Sequence, residues 1–190
     1  MKKVLLSVLF TSVSIFASAQ NLPVDPETKK ITYTEVVETP GIKQNDLYSR
    51  AQTWFAKTYG SSKSVLEIQD KENGKLMGKG ITEVSFKNPP MGTRYGGIVR
   101  YTISVLVKDG KYKYSISDLF HEGGTDTQIT ACGALENEKK PKGGTMRGLS
   151  GQGGFPTQKQ WEQIKEDVNT QMTALTASLK SGIAKSEADF

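Results

Sequence analysis

The sequence is poor in the residues on which most catalytic and metal centres depend. Its 190 residues include one cysteine, one histidine and two tryptophans. A lone cysteine excludes an internal disulfide, and a lone histidine disfavours the usual zinc sites, which take several His or Cys ligands. Cys132 lies among small residues (Ala131, Gly133 and Ala134). We therefore expect a buried thiol and predict no metal site.

The sequence also lacks a long apolar run after its first residues. Lys2 and Lys3 precede a mostly apolar stretch over residues 4–16, and Ala17-Ser18-Ala19 fits the small-x-small cleavage rule. We interpret residues 1–19 as a signal peptide cleaved after Ala19. This interpretation predicts an exported protein, periplasmic or secreted, with no transmembrane segment after cleavage.

Neither positive nor negative charge is in large excess. Removing Lys2 and Lys3 lowers the formal net charge from +5 to +3, and the remaining lysines are scattered along the chain. No basic stripe alternates with aromatic residues, as nucleic-acid surfaces would require. We therefore predict no nucleic-acid partner.

The most regular pattern present is a β-hairpin over residues 98–120. Asp109-Gly110 is a preferred two-residue turn, and apolar and polar residues alternate on both sides of it. This turn places Val107 opposite Tyr112 and Ile103 opposite Ile116, so one face of the hairpin is apolar and predicts a core. The apolar face consists of Val99, Tyr101, Ile103, Val105, Val107, Tyr112, Tyr114 and Ile116, and the polar face of Arg100, Thr102, Ser104, Lys113, Ser115 and Ser117.

A second hairpin is predicted over residues 64–86, around Asn73-Gly74. Its register stays open, because Leu66, Ile68 and Ile81 fit a two-residue loop whereas Val84 and Phe86 then fall on the opposite face. Gly78 and Gly80 either mark a bulge or let another part of the chain approach closely.

Two helices and a further strand complete the regular structure. Residues 31–38 are rich in β-branched side chains and predict a strand. An apolar stripe over residues 46–59 predicts a helix with Asn45 as its N-cap. Thr157 and Gln160 have the spacing of a capping box, and a second apolar stripe predicts a long helix over residues 158–183.

The region between the hairpin and the last helix has weaker patterns. Residues 129–135 are interpreted as a short strand or a buried turn, and residues 136–156, rich in Gly, Lys and Ser, as a flexible loop. The predicted organisation is a signal peptide (1–19) and one domain (20–190) with a core over 22–120, the loop over 136–156 and the helix over 158–183.

The lone histidine is the only candidate for chemistry. His121 follows the hairpin, with Asp118 and Glu122 nearby, so a general base or, with Asp126, a metal ligand could be imagined. The sequence does not supply the further residues that either a general base or a metal site would require. We predict that His121 is a surface loop residue and that the protein is not an enzyme and holds no cofactor. The alternative is an unrecognised hydrolase centred on His121.

The order strand, helix, four strands, loop and helix predicts an α+β fold. Its antiparallel sheet of about five strands, in β-α-β-β-β-β-α order, has two helices on one face and leaves the other face open.

Four segments resemble, in the same order, domain-of-unknown-function family 4468, which is described as exported bacterial proteins with a TBP-like fold. The resemblance implies that fold and an envelope location, but no established activity. Lys43 stands where the family is expected to have a helix-capping Ser. The segments are residues 22–41 (LPVDPETKKITYTEVVETPG), 47–59 (LYSRAQTWFAKTY), 64–80 (SVLEIQDKENGKLMGKG) and 100–118 (RYTISVLVKDGKYKYSISD).

A TBP-like sheet does not by itself imply DNA binding, because function depends on sites rather than folds. The face predicted to be open offers Arg100, Lys113 and small hydroxyl groups, without the apolar wedges of minor-groove binders. We predict a non-catalytic binding or interaction module whose partner, an envelope protein or small ligand, contacts Arg100, Thr102 and Lys113. The remaining alternative is a structural or assembly role through an exposed sheet edge. The oligomeric state stays open.

Overall fold

The computed structural model describes residues 22–60, 65–124, 129–139 and 154–185. The predicted signal peptide and residues 140–153 of the predicted loop lie outside these ranges. No helix of the described residues is long and apolar enough to cross a membrane. In chain order the elements are β1 (Tyr33–Glu38), α1 (Gln44–Tyr59), β2 (Leu66–Asp70), β3 (Lys75–Lys87), β4 (Thr93–Lys108), β5 (Lys111–Gly124), β6 (Ile129–Ala134) and α2 (Gln158–Ala184).

The strands form one antiparallel sheet in the order β1-β5-β4-β3-β2, with β6 also paired to β5. β1 pairs with the first half of β5 and β6 with its second half. This confirms the predicted α+β architecture. The sheet has six strands because residues 129–134, which the sequence left between a strand and a buried turn, form β6.

The hairpin of β4 and β5 has the predicted register near its turn. Val107 lies opposite Tyr112, and Ile103 opposite Ile116. All the apolar side chains predicted to share one face here are buried. The two-residue turn fixes this register, since a slip by one residue would expose the whole apolar face.

The two helices cover that face of the sheet. The capping box predicted at the start of α2 is present, with Thr157 and Gln160 bonded to each other's backbone N–H groups. Trp54 of α1 donates its indole N–H to Ser178 of α2 at 3.1 Å. A side chain at Gly182 would lie 2.6 Å from the Trp54 ring. The sheet's opposite face carries no helix among the described residues.

Helix α1 begins at Gln44, two residues earlier than predicted, and its N-cap is Lys43 rather than Asn45. Lys43 makes no side-chain capping bond. Instead, Asp109 in the β4–β5 turn accepts a 2.8 Å hydrogen bond from the Gln44 backbone N–H. A carboxylate from a distant turn thus replaces the local cap and complements the helix dipole.

The second hairpin has a four-residue connection, because Asp70 pairs with Lys75. A bulge in β2, between Leu66 and Ile68, removes the conflict that the sequence left open. Close approach also occurs: a Cβ at Gly78 would lie 2.4 Å from the Val65 carbonyl oxygen, and one at Gly80 would overlap the Tyr101 ring. Val84 and Phe86 are therefore buried, and Ile81 faces away from the helices.

Candidate functional site

Strand β5 contains a bulge at Asp118 that reverses which side chains face the core. Thr102 pairs with Ser117 and Arg100 with Phe120, so one residue of β4 lies opposite two of β5. Asp118 has a φ of 54°, in the left-handed region that aspartate adopts more readily than most residues. Even-numbered side chains of β5 face the core before the bulge, and odd-numbered ones after it.

An ion pair holds the bulge residue. The Lys30 ammonium lies 2.6 Å from the Asp118 carboxylate. The hydrogen bond from Lys30 is the main reason that the pKa of Asp118 is lowered from its ordinary value. The segment that precedes β1 is thereby attached to the bulge.

The prediction that His121 is a surface loop residue is wrong. His121 lies within β5 and is completely buried. Its Nδ1 accepts a 3.0 Å hydrogen bond from the Cys132 backbone N–H. Because Nδ1 is an acceptor, Nε2 carries the proton and donates to the Gly96 carbonyl at 2.7 Å. The bulge at Asp118 causes the difference, since the uninterrupted alternation would have pointed the imidazole outward.

The surroundings of His121 are those of a structural bridge. Its ring packs edge-on against Trp161 of α2, with ring centroids 5.6 Å apart. Burial lowers the pKa of His121 and so favours the neutral ring. Both nitrogens are engaged by backbone groups of β4 and β6. Cys132 is buried, as predicted, and the described residues contain no group of three or more potential metal ligands.

The open face, which is the sheet surface opposite the helices, carries two cross-strand rows that combine cations with apolar side chains. The first, which we call the turn-end row, is Lys75, Leu106, Lys113 and Val36. The second, which we call the bulge-end row, is Ile81, Arg100, Phe120 and Ala134. A belt of hydroxyl groups separates them, and its members are Thr34, Thr102, Ser104, Ser115 and Ser117.

Apolar side chains are exposed in both rows. Val36 is 53% and Leu106 39% exposed in the turn-end row, and Ile81 is 63% and Phe120 42% exposed in the bulge-end row. The other large hydrophobic residues exposed in the described chain, Val24 and Met91, lie outside the sheet. The prediction that the open face lacks apolar residues suited to act as wedges is therefore wrong.

The three predicted binding residues all lie on the open face, but in different parts of it. Arg100 is in the bulge-end row and Lys113 in the turn-end row, while Thr102 is half-buried in the belt between them. Arg100 and Leu106, one from each row, are six positions apart on β4, which is about 20 Å at the usual rise of a strand. At that separation one small molecule does not contact both rows.

Sequence reasoning missed the four exposed apolar residues. Val36 and Leu106 follow from the register of their strands, since each alternates with buried neighbours. Phe120 could be found only by noticing that Asp118 and Leu119 break the alternation of β5.

A separate cleft of about 280 Å³ lies between α2 and the adjacent ends of β3 and β4. Asp167 accepts hydrogen bonds there from the Ser85 backbone N–H at 2.8 Å and hydroxyl at 3.2 Å. Gln171, one turn further, donates to the Glu83 carbonyl at 2.7 Å. These hydrogen bonds engage backbone groups on the edge of β3 that β2 does not pair with. The cleft is lined by Ser85, Phe86, Lys87, Thr93, Gln163, Glu166, Asp167 and Thr170.

Comparisons with known proteins agree with the fold. Residues 33–122 match a family model described as a domain of unknown function (DUF4468) with TBP-like fold. A crystal structure of a TBP-like protein from Parabacteroides distasonis has a TM-score of 0.63 and 15% identity, covering 87% of this chain and 99% of that one.

A DUF4468 family protein from Bacteroides ovatus has a TM-score of 0.60 and 13% identity, covering 83% of this chain and 88% of that one. No curated protein is significantly similar to this chain. At these identities the solved structures support the fold alone.

Proposed function

Because residues 33–122 belong to the DUF4468 family, whose TBP-like fold comes with no assigned function, we propose a role from the protein's own surface. The protein acts as a non-catalytic binding module of the cell envelope, reached by export. It binds a partner protein through the open face of the sheet, with Arg100, Thr102 and Lys113 in the contact.

The exposure of four large apolar side chains beside Arg100 and Lys113 on one sheet face supports this proposal most directly. Such side chains normally lie against a helix or another sheet, and here two of them flank the cation of each row, Val36 and Leu106 beside Lys113 and Ile81 and Phe120 beside Arg100. Aromatic residues and arginine are also enriched at the energetic centres of protein interfaces. Phe120 and Arg100 are adjacent on β5 and β4.

The alternatives have less support. A hydrolase centred on His121 would have to break hydrogen bonds at both ring nitrogens before the imidazole could act as a base. Assembly through a sheet edge would need a long, accessible edge strand. β2 has five residues and a bulge, and side chains of α2 bond the neighbouring edge of β3.

Site-specific photo-crosslinking in the native cell tests the binding role. A benzoylphenylalanine is introduced at Ile81 or Leu106 on the open face, and at the exposed Thr173 of α2 as a matched control. We expect a discrete protein adduct from the two open-face positions and none from Thr173. Adducts from Thr173 alone, or from none of the positions, would contradict the proposal.

Export has its own measurement. Mass spectrometry of the protein recovered from the envelope and culture medium should find Gln20 as the first residue. A cytoplasmic product that still begins at Met1 would contradict export, and would leave the binding surface itself untouched.

A further inference from the structure

We infer that the partner is an acidic, apolar protein segment, lying along the strands, that engages the turn-end row and the bulge-end row together. This inference rests on the proposed binding function and specifies the chemistry of the partner. It follows from the arrangement of charge and apolar surface on the open face.

Each row places a cation between exposed apolar side chains. Lys113 lies opposite Leu106 on one side and Val36 on the other. Arg100 lies in the same way between Ile81 and Phe120. A partner side chain that neutralises the cation is therefore next to one that can cover the apolar neighbours. Acidic and apolar residues in adjacent positions of the partner would satisfy both requirements.

The turn end of the open face has an excess of positive charge, because its four lysines outnumber its two cross-strand carboxylates, Glu38 opposite Lys111 and Asp70 opposite Lys75. Lys108 and Lys111 lie directly opposite each other, an arrangement that is unfavourable for like charges. Neither they nor Lys75 and Lys113 have a carboxylate within 4.0 Å among the described residues. An anionic partner would remove this repulsion.

The bulge end differs, because its cation already has a partner. Arg100 pairs with Glu122, and their side chains are 53% and 29% exposed. A guanidinium has five N–H donors in a fixed planar arrangement, so Glu122 does not exhaust them. We expect Arg100 to orient the partner by a hydrogen-bonded carboxylate, and the lysines of the turn end to contribute mainly long-range attraction.

A second copy of the chain fits this face poorly. Placing two open faces together would bring the four lysines of the turn end either against lysines, which outnumber their cross-strand carboxylates Glu38 and Asp70, or against Arg100, which is already paired with Glu122. A small ligand cannot span two rows about 20 Å apart. A nucleic-acid backbone offers phosphates but no apolar groups for the four exposed side chains. An acidic and apolar protein segment meets all of these conditions.

Peptide selection provides the test. A phage-displayed library of random 12-residue peptides is selected on the mature protein, and the recovered peptides are synthesised for binding titrations. We expect Asp or Glu next to Leu, Ile or Phe to be enriched. Binding should weaken at least tenfold in Lys113→Glu and in Arg100→Glu, and should weaken with added salt. Lys159→Glu, an exposed charge reversal on α2, should change binding less than twofold.

The outcomes separate the inference from the proposed function. Enriched neutral or basic peptides that lose binding on the open-face reversals overturn the acidic partner but leave the binding role standing. Peptides that ignore both reversals, or a library that yields no binder, overturn both. Tighter binding of a duplex oligonucleotide than of any peptide, lost in Lys113→Glu, also overturns the inference. Lys113→Gln, with its circular dichroism compared with the wild type, separates loss of charge from loss of fold.

Discussion

The two halves of the β4–β5 hairpin differ in how their side chains alternate between the two faces of the sheet. In the half next to the turn, Val107, Tyr112 and their neighbours alternate without interruption, and the register set by Asp109-Gly110 is the one observed. In the half beyond Asp118, one extra residue in β5 reverses the alternation. The same pair of strands therefore gives a continuous core in one half, and in the other a buried histidine with an exposed phenylalanine beside it.

This difference shows what a bulge adds to a sheet. It turns Leu119 and His121 inward to support β6 and α2, and it turns Phe120 outward into the bulge-end row. Without the bulge the open face would lose its aromatic residue and the core would lose its bridge. The structural and the proposed binding features of this end of the sheet thus have one cause.

The largest loss of stability should come from removing the His121 side chain, which bridges β4 and β6. His121→Ala leaves the Cys132 N–H and the Gly96 carbonyl buried without their partner and opens a cavity beside Trp161. We expect it to lower the free energy of unfolding by about 3–5 kcal/mol. The matched change in the turn half, Ser115→Ala, removes a half-buried hydroxyl from the belt and should cost less than about 0.5 kcal/mol.

Urea unfolding followed by circular dichroism measures both variants. If His121→Ala cost no more than Ser115→Ala, the two ring hydrogen bonds would not stabilise the fold, and the contrast between the halves would fail.

The next largest loss of stability should come from a residue that does not tolerate the backbone conformation of the bulge. Asp118→Val places a β-branched residue at a φ of 54°, and we expect a loss of about 2 kcal/mol. Asp118→Asn keeps a residue that tolerates this conformation and removes only the exposed ion pair to Lys30, so its loss should stay below about 1 kcal/mol. Thermal unfolding of the pair gives the difference directly. Equal losses would mean that the ion pair, and not the backbone, determines the stability of the bulge.

How far the sequence predicts the structure depends on whether the determinants are local. The turn at Asp109-Gly110 and the capping box of α2 each involve a few consecutive residues, and both are observed. The bulge residue Asp118 is bonded to Lys30, which is 88 residues away in the sequence. The start of α1 depends on Asp109, which is 65 residues from Gln44. No pattern within one segment contains these contacts.

The candidate site follows the same division. Arg100 and Lys113 could be placed on the open face because the register near the turn is local. Phe120 and Ile81 could not, because the first depends on the bulge and the second on a bulge in β2. The sequence therefore does not predict the apolar character of the open face, although it places Arg100 and Lys113 there correctly.

A smaller loss of stability is expected from substituting the glycine of the β4–β5 turn. Gly110 has a φ of 76°, and a Cβ there would meet no atom within 4 Å. Gly110→Ala should cost only the conformational strain, about 1 kcal/mol. Gly97, near the bulge, also has a positive φ, but its Cβ would lie 2.6 Å from the Gly123 backbone. Gly97→Ala should therefore cost clearly more in the same thermal measurement. If the two alanine variants were equally stable, the close packing of the bulge half would be refuted.

The smallest effect should appear as a dependence of stability on pH. Burial lowers the pKa of His121 in the folded protein, so the unfolded chain takes up a proton as the pH falls through about 6.5, before the folded one does. Stability from the neutral ring is therefore complete above that pH and declines below it. Between pH 6.5 and 5.5 the loss should not exceed about 1 kcal/mol for one proton.

His121→Gln supplies the control, because an amide can donate to Gly96 and accept from Cys132 but does not titrate in this range. The wild type should lose stability on acidification and His121→Gln should not. The carboxyl groups with lowered pKa values, such as that of Asp118, titrate at lower pH and do not interfere. Parallel pH profiles for the two proteins would mean that His121 takes up its proton at the same pH in the folded protein as in the unfolded chain. The hydrogen bond from the Cys132 N–H to Nδ1 would then not oppose protonation, and the bulge half would have to be held together in another way.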